Sequence, residues 1–286
     1  ERPGFNNNIL HRTHYLRETW FMAFEKINGI RIHYLVDGSK DCPTITFIHG
    51  QAFNIESWSR QIDAFKDQFQ ILRIDLRGHG LTEVGELGND LRMLNMAEDI
   101  IGVWDHLEIK RSHYVGKSLG GMIGFDLALH NADRLNSLTL VATQGKMPCG
   151  SLDRMRRNVE DYRKSPLKMK FAAGRLLSRY LPESYKKNDP AGYRLLEESI
   201  IKMTVDAYAF SSEAINAMDY DDHLKDINLP TLVIAGELDI PTPPSRMKIY
   251  REKIRGAKWG VISGAAHLPN FEKPREFNTL LKEFLK

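Results

Sequence analysis

The chain has 286 residues, of which 42% are apolar and 27% charged, and its formal net charge is +3. That is enough apolar chain for one large core, or for a core domain with a smaller insertion. Interspersed charge with no basic patch argues against nucleic-acid binding, and apolar runs of strand length fall short of the roughly 20 residues a membrane span needs.

Residues 1–22 read as a polar N-terminal arm with scattered aromatics, lacking the apolar stretch of a signal peptide. Two cysteines, Cys42 and Cys149, are too few for a disulfide framework and have no metal-ligand spacing, so they read as reduced thiols of a cytoplasmic protein. In "AFEKINGIRIHYLVDG", two alternating runs flank Asn28-Gly29, which predicts a hairpin with a two-residue turn. "TITFIHG" (44–50) reads as a short buried strand ending at glycine, and "FQILRIDLRGHG" (69–80) as a strand running into a glycine-rich turn. Between them "WSRQIDAFKDQ" has helical spacing. The stretch 91–109 is an amphipathic helix by its three- and four-residue apolar steps. "RSHYVG" is a strand, "LGGMIGFDLALH" is apolar nearly all round like a buried helix, and 135–143 is a strand again.

Alternating strands and helices at this rhythm predict βαβ units and a mostly parallel α/β sheet with helices on both faces. From 145 to 226 the rhythm stops. This stretch is charged and helical, is broken at Asp189-Pro190, and carries Met147, Met155, Met169, Met203 and Met218. It reads as a helical cap inserted into an α/β core formed by 1–144 and 227–286. Its methionines are expected to pack between helices or to line a pocket beneath. "LPTLVIAGELD" (229–239) and "KWGVISGAAH" (258–267) restore the strands, and "FNTLLKEFLK" closes the chain as a helix. Ligands in such sheets gather at the carboxyl ends of the strands, so the loops there carry the function.

One of those loops holds Gly116-Lys117-Ser118-Leu119-Gly120. At ordinary glycine usage such a G-x-S-x-G match arises by chance about 0.1 times in a chain this long. Its position between a strand and a helix is what a nucleophile elbow requires, with glycines letting neighbouring backbone approach so that Ser118 is exposed. A serine hydroxyl needs a base, and the base needs an orienting carboxylate, in the chain order Ser, acid, His. "GELD" places Asp239 after one later strand, and "GAAH" places His267 after the next. Glu237 is a competing acid and His79 a competing base, while His113 reads as structural. The backbone N–H groups of Leu119 and of Gln51, after His49-Gly50, are the candidate oxyanion donors.

With these parts in place the sequence resembles the α/β-hydrolase superfamily from about Phe24 to Leu285. "HG" (49–50), "DLRGHG" (75–80), "GKSLGGM" (116–122), "GELD" (236–239) and "GAAHLP" (264–269) stand where family members have equivalents. Within it the chain most resembles the 3-oxoadipate enol-lactonase-like and carboxylesterase-like branch. Serine at the elbow sets the chain apart from the dehalogenases and epoxide hydrolases, which use aspartate. Gln51, Ala52 and Lys117 depart from the residues more usual at their positions. The resemblance implies a serine hydrolase of a small-molecule ester or lactone, without metal or cofactor. The rival implications are a carbon–carbon bond hydrolase of the meta-cleavage type and a ligand receptor that retains the triad.

Overall fold

Asn28 and Gly29 both have positive φ, 48° and 82°, the two-residue turn geometry that Asn-Gly favours. They join β1 (Ala23–Ile27) to β2 (Ile30–Asp37) as an antiparallel hairpin, with Ile27 opposite Ile30. The computed structural model describes residues 23–286, so the expected N-terminal arm lies outside the described residues. Six further strands follow: β3 (Thr44–Ile48), β4 (Gln70–Ile74), β5 (Ser112–Lys117), β6 (Leu135–Val141), β7 (Thr231–Gly236) and β8 (Lys258–Ile262). The sheet order is β1-β2-β4-β3-β5-β6-β7-β8. β2 pairs antiparallel with β4, and every pair from β4 to β8 is parallel. The loops after β3, β5, β7 and β8 therefore emerge along one edge.

The central strands are buried on both faces, and their side chains divide with period two. Ile45, Phe47, Val115, Leu232 and Ile234 join one cluster with Trp58, Phe65, Phe277 and Leu281. Ile48, Tyr114, Val233 and Ala235 join the cluster on the other face, with Trp104, Met122, Phe125 and Met247. The first face is covered by α1 (Ile62–Phe65) and the closing helix α11 (Pro274–Leu285). The second is covered by α2 (Met93–His106), α3 (Leu119–His130) and α9 (Pro244–Lys253). Every residue of α3 from Leu119 to Ala128 is buried, which accounts for its nearly all-round apolar sequence.

Two elements differ from expectation. The segment read as a helix around Trp58 is a 3₁₀ stretch, Ile55–Gln61, followed by the single turn of α1. Ile55, Trp58 and Gln61 are buried at a spacing of three, which suits three residues per turn. The helix read over 91–109 is shorter at both ends, because Arg92 is extended and Glu108 turns the chain out at φ 57°.

Between β6 and β7 lie α4 (Ser151–Lys164), α5 (Met169–Tyr180), α6 (Tyr185–Asn188), α7 (Pro190–Lys202) and α8 (Val205–Ala217). Asp189-Pro190 is the start of α7: the Asp189 carboxylate accepts from Gly192 N–H at 2.9 Å, and Pro190 takes the first helical position. A bridge between Lys146 and Asp219 draws the two ends of the insertion together. Met169 and Met203 pack inside it with Tyr162, Leu177 and Leu196, and this cluster continues into Phe53, Leu268 and Phe271 of the sheet domain. Met218 packs in the main core instead. No helix among the described residues is long and apolar enough to cross a membrane.

Candidate active site

Ser118 sits between β5 and α3 at φ 51° and ψ −112°, a conformation a non-glycine residue adopts only under strain. Three hydrogen bonds hold it there. Its N–H donates to Val141 O at 2.9 Å, and its carbonyl accepts from Met122 N–H at 3.0 Å and from Thr143 Oγ1 at 2.7 Å. The flanking glycines are steric necessities. A Cβ on Gly116 would lie 2.3 Å from Gly120 O, and one on Gly120 would lie 2.3 Å from Ile48 O. Gly120 N–H donates to His49 O at 3.1 Å, so the loop after β3 rests directly on the elbow. Gly120→Ala is therefore expected to lower stability by about 3 kcal/mol and to displace both oxyanion candidates together. Thermal unfolding and reactivity of Ser118 read the two effects.

The loop after β3 brings Gln51 to the elbow. Gln51 N–H enters no backbone hydrogen bond among the described residues, while Leu119 N–H belongs to the first turn of α3, where amides lack helical acceptors. Ala52 at φ 65° turns the chain immediately afterwards. The Gln51 side chain anchors the insertion, with Nε2 donating to Ser211 Oγ and Ser212 Oγ, both at 2.9 Å, and to Tyr208 O at 3.2 Å. Below the loop, His49 Nε2 accepts from Leu76 N–H at 3.0 Å and its Nδ1–H donates to Gly50 O at 2.8 Å. Burial pulls His49 down to about 3, so it is neutral and shapes the loop. The "DLRGHG" stretch supports it. Asp75 accepts from Ile55 N–H at 2.8 Å, Leu81 N–H at 3.0 Å and His33 Nδ1 at 2.7 Å.

His267 and Asp239 meet at the ends of β8 and β7, both buried. His267 Nδ1 lies 2.9 Å from Asp239 Oδ2 and 3.1 Å from Oδ1. Thr242, three residues on, donates its N–H to Oδ1 at 3.0 Å and its hydroxyl to Oδ2 at 2.7 Å. Burial pushes the Asp239 carboxyl up, but His267 and these hydrogen bonds outweigh it and hold the group below the usual carboxylate range. The Tyr180 ring of α5 packs on the imidazole at 4.8 Å, and Tyr180 O accepts from His267 N–H at 3.0 Å. Tyr180 also meets Phe53, whose ring lies 4.2 Å from Lys117 Nζ, next to Ser118. The structure thus joins His267 to Asp239 directly and places Ser118 on the same sheet edge. It forms no hydrogen bond between the Ser118 and His267 side chains; unliganded sites often tighten that contact only when substrate is bound.

The competing residues lie elsewhere. Glu237 is exposed and accepts from Ser263 Oγ and Gly264 N–H, both at 2.8 Å. His79 is buried against Arg77 O, and burial pulls it down to about 4. His113 is at the far end of β5, bonded to Ser137 Oγ at 2.8 Å. Sequence reading missed Thr242, Tyr180 and Glu272, whose carboxylate accepts from Ala266 N–H and Leu268 N–H either side of His267, both at 2.9 Å. The first and last follow Asp239 by three residues and His267 by five, a spacing that could have flagged them. Tyr180, in the insertion, carries no such signal.

A mostly parallel sheet, an elbow serine after its fifth strand and a buried His–Asp pair after its last two strands define the α/β-hydrolase class. The chain belongs to that family: the family model for the alpha/beta hydrolase fold matches residues 43–274. Among characterised relatives, 3-oxoadipate enol-lactonase 2 of Acinetobacter baylyi is 27% identical over 259 residues, covering 90% of this chain and 94% of its own. Among solved structures, the enol-lactonase from Burkholderia xenovorans superposes with a TM-score of 0.87 at 28% identity, covering 92% of this chain and 99% of its own. A hydrolase from Pseudomonas aeruginosa gives the same TM-score, 0.87, at 27% identity, with 93% of this chain and 98% of its own covered.

Proposed function

We propose that this protein is a serine hydrolase of small-molecule carboxylic esters or lactones, acting through an acyl-enzyme. The reading is carried by one observation: a serine held under strain at a helix N-terminus, φ 51°, on the edge where a buried carboxylate fixes an imidazole at 2.9 Å. Enol-lactonase relatives covering nine-tenths of the chain support the substrate class.

In this mechanism His267 Nε2 takes the Ser118 proton as Oγ attacks the carbonyl carbon. Asp239 keeps the proton of the neutral ring on Nδ1 and stabilises the imidazolium that forms. The Gln51 and Leu119 amides receive the developing oxyanion, each worth roughly 3 kcal/mol in such sites. Collapse breaks the acyl–oxygen bond, with the proton on His267 going to the leaving oxygen. In a lactone that oxygen stays tethered to the acyl group. Water, deprotonated by His267, then attacks the acyl-enzyme and releases the acid. The insertion, 145–226, acts as a cap that excludes bulk water above Ser118.

A panel of p-nitrophenyl esters of graded acyl length and lactones of graded size tests this, with fluorophosphonate labelling as the control. Steady-state acid release and a single label on Ser118 are expected. Labelling without turnover on any ester or lactone would turn the reading toward a receptor, and no labelling at all would end it.

A further inference from the structure

The histidine loop is tied in two directions. The amides either side of His267 stay within the loop, donating to the carboxylate of Glu272 at the end of α10 (Pro269–Glu272). The amide of His267 itself reaches out of the sheet domain and donates to Tyr180 O in the insertion at 3.0 Å. The local chain sets this carbonyl free. Leu181 precedes Pro182, a position that favours extended backbone, and it has φ −124° and ψ 148°. Helix α5 therefore stops at Tyr180, whose carbonyl belongs to the last turn and has no helical amide to accept from.

The Tyr180 side chain touches both halves of the site. Its ring centroid lies 4.8 Å from that of the His267 imidazole, with 34° between the planes. It lies 6.0 Å from that of Phe53, at 48°. Both separations fall in the range where aromatic rings attract one another. Phe53 closes the turn that carries Gln51, its N–H donating to Gly50 O at 3.1 Å. That turn is the source of one oxyanion donor. The next residue of the insertion, Leu181, joins Leu268 and Phe271 in the cluster shared with the sheet domain. One end of one cap helix thus meets the base through a hydrogen bond and a ring, and the oxyanion turn through the same ring. None of these contacts uses the phenol hydroxyl.

We propose that Tyr180 is a positioning residue for His267, so that the seating of the cap sets the aim of the catalytic base. The assignment rests on the hydrolase reading above for its consequence in activity. The Tyr180 carbonyl fixes the main chain of His267, and the Tyr180 ring fixes the tilt of the imidazole. Asp239 holds the imidazole at Nδ1, 2.9 Å away, but a hydrogen bond to one nitrogen leaves the ring free to rock about it. The stacked ring removes that freedom. An aromatic face also favours the imidazolium that forms when the base takes the serine proton. Without the ring the imidazole can tilt away from Ser118, and a displacement of roughly 1 Å at a reacting atom costs on the order of 100-fold in rate.

Tyr180→Leu removes the ring and keeps the carbonyl and much of the apolar bulk. It should lower kcat on the best substrate about 30-fold, with KM changed by less than about threefold, and slow Ser118 fluorophosphonate labelling to match kcat. Tyr180→Phe restores the ring and should recover both rates to within about threefold of native. Leu196→Ala empties part of the same apolar cluster from α7 and leaves the Tyr180 ring in place. It should cost at least as much Tm as Tyr180→Leu, yet label at a rate within about threefold of native. Labelling of Tyr180→Leu within about threefold of native overturns the proposal. So does an equal loss in Tyr180→Phe, which would assign the effect to the hydroxyl, and so does an equal loss in Leu196→Ala, which would assign it to cap packing at large. Circular dichroism checks folding; should Tyr180→Leu fail to fold, Tyr180→Met decides by the same rates. Native protein that never labels instead overturns the hydrolase reading. The proton NMR signal of His267 Nδ1–H then decides the positioning. It should persist in native protein, Tyr180→Phe and Leu196→Ala, and broaden through exchange with water in Tyr180→Leu. Full intensity in Tyr180→Leu overturns the proposal.

Discussion

Ser118→Ala is expected to lower kcat/KM on the preferred ester or lactone by about 10⁴- to 10⁶-fold and to abolish fluorophosphonate labelling. The substitution removes one oxygen and leaves the backbone bonds of the elbow to Val141, Met122 and Thr143 in place, so Tm should barely move. A companion variant separates chemistry from strain. At φ 51° and ψ −112° a side chain costs of order 1–3 kcal/mol that glycine does not incur, against about 1 kcal/mol of added chain entropy for glycine. Ser118→Gly should therefore be as inactive as the alanine variant but more stable by roughly 1 kcal/mol, a rise in Tm of about 2 °C. Full activity in Ser118→Ala would remove the nucleophile from the mechanism. A stability loss in Ser118→Gly would show that the strain at this residue is smaller than the chain entropy glycine adds.

Much of this arrangement was legible in the sequence, because the residues concerned sit at strand ends marked by glycine. Gly120 and Gly236 each stand where backbone from another segment comes too close for a side chain, Gly116 stands where the elbow folds back on Gly120, and a Cβ on Gly50 would face the Lys117 and Ser118 side chains at 3.1 Å. A Cβ on Gly236 would lie 1.9 Å from Ala266 O, in the very loop that carries His267. Such close approaches leave a local mark, and the strand rhythm supplies the edge on which they gather. The hairpin at Asn28-Gly29 was legible for the same reason, since two positive φ values select those residues. What stayed hidden depends on contacts between distant segments. Nothing local announces that Tyr180 stacks on His267 or that Gln51 fastens α8. The 3₁₀ stretch at Ile55–Gln61 escaped because spacings of three and of three to four are hard to separate over two turns.

Asp239→Asn should cost about 10⁴-fold in kcat while leaving KM and the fold nearly unchanged. The reason lies in which ring nitrogen carries the proton. With both Asp239 oxygens within 3.1 Å of His267 Nδ1, the carboxylate favours the tautomer whose Nε2 is free to accept from Ser118. An asparagine amide in the same place can offer a donor instead, which moves the ring proton to Nε2 and leaves no base for the serine. The pH dependence gives an independent check. Because the Asp239 carboxyl is held below the usual range, it is ionised throughout neutral pH, and the acid limb of the native enzyme comes from other groups. The ratio of native to Asp239→Asn activity should therefore stay above about 100-fold at every pH from about 6 to 9. Stability behaves differently. A carboxyl depressed in the folded state stabilises the fold at pH above its unfolded value near 3.9, and that contribution disappears as the pH falls through the folded value. Native protein should exceed Asp239→Asn in Tm at pH 7, with the gap narrowing in acid below about pH 4. An activity ratio that falls to near one anywhere in the range from about pH 6 to 9 would mean that Asp239 does not serve as the fixed anion behind His267.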